Sequence, residues 1–131
     1  MDASLLLEFV TANPKTSALA QFFEANQVEV CAPQIVILEV LNALRRQVNL
    51  KRLSAEKAHL TVQFLQELPI NYYSHEELIP RTWQLRGNMN AYDAAYVALA
   101  ESLDAELWTS DKKFVGTPGL RAQIKLFAPA S

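Results

Sequence analysis

Apolar segments of two lengths alternate along the chain, and their lengths predict which of them are strands and which are helices. The short β-type runs predict four strands: Val28–Cys31, Ile70–Tyr73, Glu106–Thr109 and Ile124–Phe127. The longer runs predict six helices, roughly Leu5–Val10, Thr16–Asn26, Gln34–Asn49, Ser54–Leu68, Glu76–Arg86 and Tyr92–Leu103. Strands that alternate with helices indicate an α/β domain with a mostly parallel sheet.

Composition and charge limit the number of domains and the kinds of partner that the chain can bind. The 131 residues suit a single domain over residues 1–131, and a hydrophobic fraction of 50% is enough for one core. The formal net charge is −2, from 12 basic and 14 acidic side chains. A protein with this balance is not a basic nucleic-acid binder as a whole, so any contact with a nucleic acid must be local or bridged by cations.

The cysteine content and the lengths of the apolar runs predict the cellular compartment in which the protein resides. Cys31 is the single cysteine, which excludes an internal disulfide and a CxxC zinc pair and favours a small core residue in a reducing compartment. The chain has no signal-peptide pattern, and its apolar runs are too short to span a bilayer. We therefore expect a cytoplasmic protein without a membrane partner.

One carboxylate lies inside a strongly apolar segment. Glu39 belongs to the run Ile35–Leu41, which predicts a helix that is buried nearly all round. A buried carboxylate must be paired, protonated or bound to a cation, because an isolated buried charge is very costly. Asn42 follows on the same helical face. The alternative is a polar stripe from Glu39 to Arg46 on a half-buried helix.

Three further acids stand at the ends of predicted elements. Asp93 opens an apolar helix, Asp111 follows the strand Glu106–Thr109, and Asp2 precedes the first helix. Each has a structural alternative: Asp2 and Asp111 as helix caps, and Asp93 as a first-turn acid after an Asn90 cap. Ligands of open α/β sheets bind beyond the carboxyl ends of the strands. Hard cations such as Mg²⁺ and Mn²⁺ prefer carboxylate oxygens, but spacing alone leaves both interpretations open.

Four segments resemble the motifs of the PIN-domain family, and they follow that family's order and spacing over nearly the whole chain. They are Asp2–Phe9, Pro33–Leu44, Ala91–Glu101 and Trp108–Phe114, of which Ala91–Glu101 is the most specific. The chain is most similar to the VapC-type toxins of prokaryotic toxin–antitoxin pairs. In this resemblance Asp2, Glu39, Asp93 and Asp111 match the acidic positions. Thr109 matches a hydroxyl position and Asn42 a polar one.

The resemblance implies a three-layer α/β/α fold with strand order 3-2-1-4-5. Only Met1 precedes Asp2, so the first strand is expected to be truncated or to begin upstream. It also implies an endoribonuclease that uses Mg²⁺ or Mn²⁺, held by the four acids, with Asn42 and Thr109 in support. The implied partners are RNA, a cognate antitoxin on apolar surface near Leu5–Phe9 and the second helix, and a second copy in a homodimer.

Two other function classes stay open. A Mg²⁺-dependent phosphatase or phospho-acceptor domain also gathers acids at strand ends, although acids on helices fit it poorly. A PIN-like scaffold that binds protein or RNA without cleaving it is the other alternative. The chain has no paired histidines for zinc and no glycine-rich nucleotide loop. Its lysines at 112 and 113 are available for RNA phosphates or simply solvated, and Trp83, Trp108, Tyr72 and Tyr73 are expected in the core.

Overall fold

Helices alternate with short strands in the computed structural model, which describes residues 1–11, 20, 21 and 23–126. The helices are α1 (Ala3–Val10), α2 (Ile35–Asn49), α3 (Ala55–Glu67), α4 (Ile79–Gln84) and α5 (Ala91–Ser102). The strands are β1 (Val30–Pro33), β2 (Ile70–Tyr73), β3 (Leu107–Thr109) and β4 (Ile124–Leu126). The predicted helix Thr16–Asn26 lies largely outside the described residues, although residues 20, 21 and 23–25 are helical.

Most predicted elements are confirmed in type, and β1 differs in position. It begins two residues later than the sequence predicts, because Ala32 and Pro33 are buried and pair with β2 whereas Val28 is 40% exposed. The predicted helix Glu76–Arg86 is also interrupted. It consists of a 3₁₀ turn over Glu76–Leu78 followed by α4, in which Pro80 lies in the first turn, where its missing N–H costs least.

The four strands form two parallel pairs. β1 pairs with β2 from Val30↔Ile70 to Pro33↔Tyr73, and β3 pairs with β4 from Leu107↔Ile124 to Thr109↔Leu126. The predicted order 3-2-1-4-5 counts the truncated strand before Asp2 as strand 1, so β1 to β4 correspond to its strands 2 to 5. The two observed pairs therefore match the two outer pairs of that order, 3-2 and 4-5.

Residues 1 and 2 lie between the two strand pairs. The amino nitrogen of Met1 donates to the carbonyl of Cys31 in β1 at 3.2 Å, and the amide of Asp2 donates to the carbonyl of Trp108 in β3 at 3.0 Å. Asp2 is thereby fixed against the strand that carries Thr109. Among the described residues these two are not assigned as a strand, so the continuous five-strand order remains a prediction.

Helix α5 forms the centre of the core. Its residues 94–100 are all buried, and the helix packs against β1 and β3. Four of these seven residues are alanine, whose small side chains allow the helix to lie close to the strands. The predicted burial of α2 on nearly every side is wrong. Only a stripe of Val36, Val40 and Leu44 is buried, at the i, i+4 spacing of one helical face, and Leu38 is 62% exposed.

None of the helices in the described ranges is long and apolar enough to cross a membrane.

An ion pair attaches the end of α5 to α4 and to the loop before β4. Arg81 donates from Nε and Nη2 to the two carboxylate oxygens of Glu101, at 2.7 and 2.9 Å. The backbone N–H of Arg121 donates to the same carboxylate at 2.9 Å. Burial alone would raise the pKa of Glu101, but these donors outweigh burial and the pKa is lowered.

We expect Glu101→Gln to lower the free energy of unfolding at pH 7 by roughly 1–3 kcal/mol, because it weakens a bidentate, charge-assisted contact. The lowered pKa means that the wild-type advantage is present above the pKa of the unfolded carboxyl and is lost as pH falls through the folded value. Urea unfolding across pH tests this, with exposed Glu67→Gln as the control. If the free energies of unfolding of wild type and Glu101→Gln differ by the same amount at every pH down into acid, the ion pair of Glu101 is not the source of the stability.

Candidate active site

Asp2 is a buried carboxylate that caps α1. Its side chain is held by a backbone N–H and two hydroxyls: Oδ1 accepts from the Leu5 amide at 3.2 Å and from Ser4 Oγ at 2.8 Å, and Oδ2 accepts from Thr109 Oγ1 at 2.7 Å. Burial raises the pKa of Asp2, and the hydrogen bonds partly oppose that rise. The capping interpretation of Asp2 is therefore confirmed, and its carboxylate also reaches the end of β3.

Thr109 links Asp2 to Asp111. Its fully buried hydroxyl donates to Asp2 and accepts the backbone N–H of Asp111 at 2.9 Å. Ser4 Oγ lies 3.3 Å from the same hydroxyl and 3.1 Å from Ser110 Oγ. Three hydroxyls thus surround the point where α1 begins and β3 ends.

Lys113 connects Asp111 with Asp93. Asp111 caps the 3₁₀ turn Lys112–Phe114 by accepting the Lys113 N–H at 3.0 Å. The Lys113 ammonium then lies 3.1 Å from Asp93 Oδ1 and 3.2 Å from Asp111 Oδ2. Partial burial lowers the pKa of Lys113, but the two carboxylates have the larger combined effect and the pKa is raised.

Asp93 lies in the first turn of α5. Its predicted structural role, a first-turn acid after an Asn90 cap, is therefore confirmed as well. The side chain of Asn90 accepts the Asp93 N–H at 2.9 Å, so Asn90 is the N-cap of the helix. That bond uses the backbone of Asp93 and leaves its carboxylate free to contact Lys113. Capping and a site role are therefore compatible at this position.

Glu39 is half-buried and is held by a tyrosine. The Tyr96 hydroxyl donates a short hydrogen bond to Glu39 Oε1. Glu39 is therefore bonded to a residue of α5 and is not simply part of a polar stripe that runs to the exposed Arg46. Tyr96 lies three residues after Asp93 on the same face of α5. Burial, the bond to Glu39 and the negative charges of Glu39, Asp2 and Asp93 raise the pKa of Tyr96. Three of the four acids therefore act electrostatically on this phenol, although only Glu39 bonds to it, and Lys113 joins the fourth to Asp93.

The chemistry of these side chains fits a hard divalent cation, because the set is made of carboxylates and hydroxyls and contains no sulfur or imidazole. In the described residues, no three acidic, histidine or cysteine side chains already converge closely enough to hold a metal ion. Tyr96 and Lys113 are bonded to three of the four acids in this arrangement. A cation would have to exchange with at least one of these contacts.

The remaining predicted positions have mixed outcomes. Thr109 lies at the centre of the hydroxyl cluster, whereas Asn42 is exposed and has no hydrogen bond to any of the acids within the described chain. Trp83 is 66% exposed, so its predicted core position is wrong, and Arg86 stacks on its ring at 4.5 Å. Sequence reasoning missed Tyr96, and it named Lys113 for RNA phosphates but missed its ion pairs with Asp93 and Asp111. The sequence did hint at both contacts, because Tyr96 lies three residues after Asp93 and Lys113 lies two residues after Asp111.

Known proteins are similar to this chain over most of its length. The PIN domain family matches residues 1–120. Ribonuclease VapC1 of Mycobacterium tuberculosis is 46% identical over 96 residues, which cover 72% of each chain. Ribonuclease VapC9 of the same organism is 34% identical over 112 residues (82% of this chain, 88% of the relative), and ribonuclease VapC12 is 31% identical over 128 residues (98% of each).

The chain therefore belongs to the PIN domain family. Its similarity to the VapC ribonucleases extends over most of both sequences, as the resemblance of its four motifs implies. The three-layer α/β/α fold class with parallel strands is that of this family.

We expect Thr109→Val to destabilise the protein by about 1–3 kcal/mol, because it leaves the buried Asp2 carboxylate and the Asp111 N–H without a shared hydroxyl. Urea unfolding measures this effect. Thr61→Val is the matched control, since the Thr61 hydroxyl is buried but only donates to the Lys57 carbonyl of its own helix. Equal losses in the two variants would show that the Thr109 hydroxyl has no special part in the cluster.

Proposed function

We propose that this chain is a divalent-metal-dependent endoribonuclease that acts as the toxin of a toxin–antitoxin pair. The observation that carries the proposal is the linked set of acids: Thr109 joins Asp2 to Asp111, and Lys113 joins Asp111 to Asp93. Shared hydrogen bonds and ion pairs thus connect acids from separate elements, each of which the sequence alone left ambiguous. The curated relatives are named ribonucleases, which supports RNA as the substrate.

In this proposal Asp2, Glu39 and Asp93 hold one or two Mg²⁺ or Mn²⁺ ions, and Asp111 completes the ligand set directly or through water. The bound cation supplies Lewis acidity, which favours water as a nucleophile and offsets negative charge on the phosphate. Thr109 orients the carboxylate of Asp2 and the backbone of Asp111. Tyr96 orients Glu39 through its hydroxyl.

The reaction adds water to the phosphorus and breaks its bond to the 3′ oxygen, which takes up a proton as it leaves. The products are a 5′-phosphate end and a 3′-hydroxyl end. Asn42 is exposed one turn after Glu39, so its amide is available to RNA rather than to the acids. The net charge of −2 is consistent with RNA contact that depends on the cation and on local lysines.

The two alternatives differ from this proposal in measurable ways. A PIN-like scaffold would bind the cation and RNA without cutting the RNA. A phosphatase or phospho-acceptor domain would act on phosphomonoesters, and the helix-borne acids Glu39 and Asp93 do not serve that chemistry.

We expect Asp93→Asn to abolish Mn²⁺- and Mg²⁺-dependent cleavage of RNA, by at least about 100-fold, while the protein stays folded. The substitution keeps the shape of the side chain and removes the charge that a cation requires. Cleavage is measured on labelled RNA by gel, with and without chelator, and the 5′ ends of the products are tested for phosphate.

Asp104→Asn is the control for this experiment. Asp104 is exposed after α5 and has a positive φ of 50°, a conformation that asparagine also tolerates, so the control should cut RNA like wild type. Asp93→Asn that cuts RNA at the wild-type rate would refute the proposed site. Wild type that binds Mn²⁺ and never cuts RNA would favour the scaffold.

The proposed partners are RNA, a cognate antitoxin and a second copy of the chain, in the cytoplasm and as one domain of residues 1–131. The apolar surface proposed for the antitoxin needs revision. Leu5 and Leu6 are buried, so among the apolar residues of Leu5–Phe9 only Leu7 and Phe9 are partly accessible. Phe9 stacks on Phe64 of α3 at 6.4 Å, and Leu60 and Phe64 extend this apolar surface along α3.

The homodimer is tested separately from catalysis. We expect light scattering at micromolar concentration to give a mass near twice the 14.7 kDa of one chain. The exposed apolar side chains Ile79, Trp83 and Tyr92 favour self-association, since such residues are enriched at interfaces. A monomeric mass at micromolar concentration would contradict the dimer and leave the nuclease proposal unaffected.

A further inference from the structure

Lys113 occupies an unusual position for a largely exposed lysine. Its side chain is 53% exposed, yet its ammonium lies within 3.2 Å of carboxylates from two different elements. One is Asp93 in the first turn of α5, whose side chain is only 14% exposed. The other is Asp111, which follows β3. An ordinary surface ion pair joins two exposed side chains and contributes little.

The backbone of Lys113 is fixed close to these acids. Its N–H donates to Asp111 Oδ1, and its side chain returns to Oδ2 of the same carboxylate. The next residue, Phe114, is buried at 1% exposure and anchors the turn in the core. The ammonium, in contrast, is at the end of a long flexible stem that is open to solvent. The turn thus keeps a mobile positive charge beside two fixed negative ones.

The ammonium of Lys113 lies between the carboxylates of Asp93 and Asp111. Two carboxylates that share a partly buried position repel each other, and this repulsion destabilises the fold unless positive charge offsets it. In the described structure Lys113 supplies that charge at the acids to which the proposed function assigns a divalent ion. An ammonium and a divalent ion beside the same carboxylates repel each other, so the two cations compete for this position.

We propose that Lys113 is a positioning residue of the metal site: it holds Asp93 and Asp111 together before metal binds, and a divalent cation must displace it. This inference rests on the proposed function and deepens it, because it makes metal loading an exchange of one cation for another. Lys113 lowers the apparent affinity for metal and stabilises the metal-free protein. Once displaced, its ammonium remains tethered within one side-chain length of the site.

The test compares Mn²⁺ binding by wild type, Lys113→Met and Lys113→Arg, read from the EPR signal of free Mn²⁺ at constant ionic strength. Lys113→Met keeps an unbranched stem that reaches as far as the lysine Cε and removes the competing charge. We expect it to bind Mn²⁺ about five- to tenfold more tightly, equivalent to about 1–1.4 kcal/mol. Lys113→Arg keeps a cation beside the acids and should bind no more tightly than wild type.

Lys112→Met is the matched control for the overall change in charge. Lys112 is the adjacent residue, is exposed, and makes no ion pair in the part of the chain that the structure describes. Its replacement should leave Mn²⁺ affinity within about twofold of wild type, because exposed charges at longer range are screened by salt. A similar gain in Lys112→Met and Lys113→Met would reduce the effect to net charge and overturn the proposal.

Stability gives a second readout that does not depend on activity. Without metal, Lys113→Met should unfold at lower urea concentration than Lys112→Met, because Asp93 and Asp111 then repel each other without a counter-ion. Saturating Mn²⁺ should reduce that difference. Unchanged metal-free stability together with unchanged Mn²⁺ affinity in Lys113→Met would refute the inference.

The outcomes separate this inference from the function on which it rests. If neither wild type nor any variant binds Mn²⁺, the proposed metal site is wrong. If all of them bind Mn²⁺ with one affinity and wild type cuts RNA, the nuclease proposal stands and only the exchange at Lys113 fails.

Discussion

Repulsion among gathered carboxylates is the constraint that shapes the rest of this site. The four acids of the site are offset by three kinds of donor: hydroxyls and a backbone amide for Asp2, a phenol for Glu39, and one shared ammonium for Asp93 and Asp111. Burial makes these donors necessary, because a carboxylate that loses water must recover its hydrogen bonds within the protein. The donors are therefore as much a part of the site as the acids.

The structural and functional interpretations of these acids prove to be compatible. Asp2 and Asp111 each use one carboxylate oxygen to cap a helical turn and offer the other to a neighbour, Thr109 or Lys113. Asp93 instead donates its backbone N–H to the side chain of Asn90, the N-cap of the helix. An acid that also begins a helix is held in place by the helix, so capping positions the side chain for further contacts. No local pattern could have distinguished the two roles.

Features fixed by neighbouring residues were predictable from the sequence. Ser54, where the predicted helix Ser54–Leu68 begins, accepts the Lys57 N–H and caps α3, and the strand Ile70–Tyr73 has the predicted bounds. Features fixed by residues far apart were not. The displacement of β1 depends on its pairing with β2, and the bond from Tyr96 to Glu39 spans 57 positions. Lys113 resembled a solvated lysine because nothing near it in sequence reveals Asp93.

The placement of Asp2 has a thermodynamic consequence. Its amide is bonded to Trp108 in one strand pair, the amino group of the preceding residue is bonded to Cys31 in the other, and its carboxylate reaches the proposed cation site. In this arrangement Asp2 helps to join the two strand pairs and is also a ligand in the proposed cation site. Linkage requires that a ligand which binds only the assembled arrangement also stabilises it. The free energy of unfolding would then rise with metal concentration, and the bound cation would stabilise the contacts that join the two strand pairs.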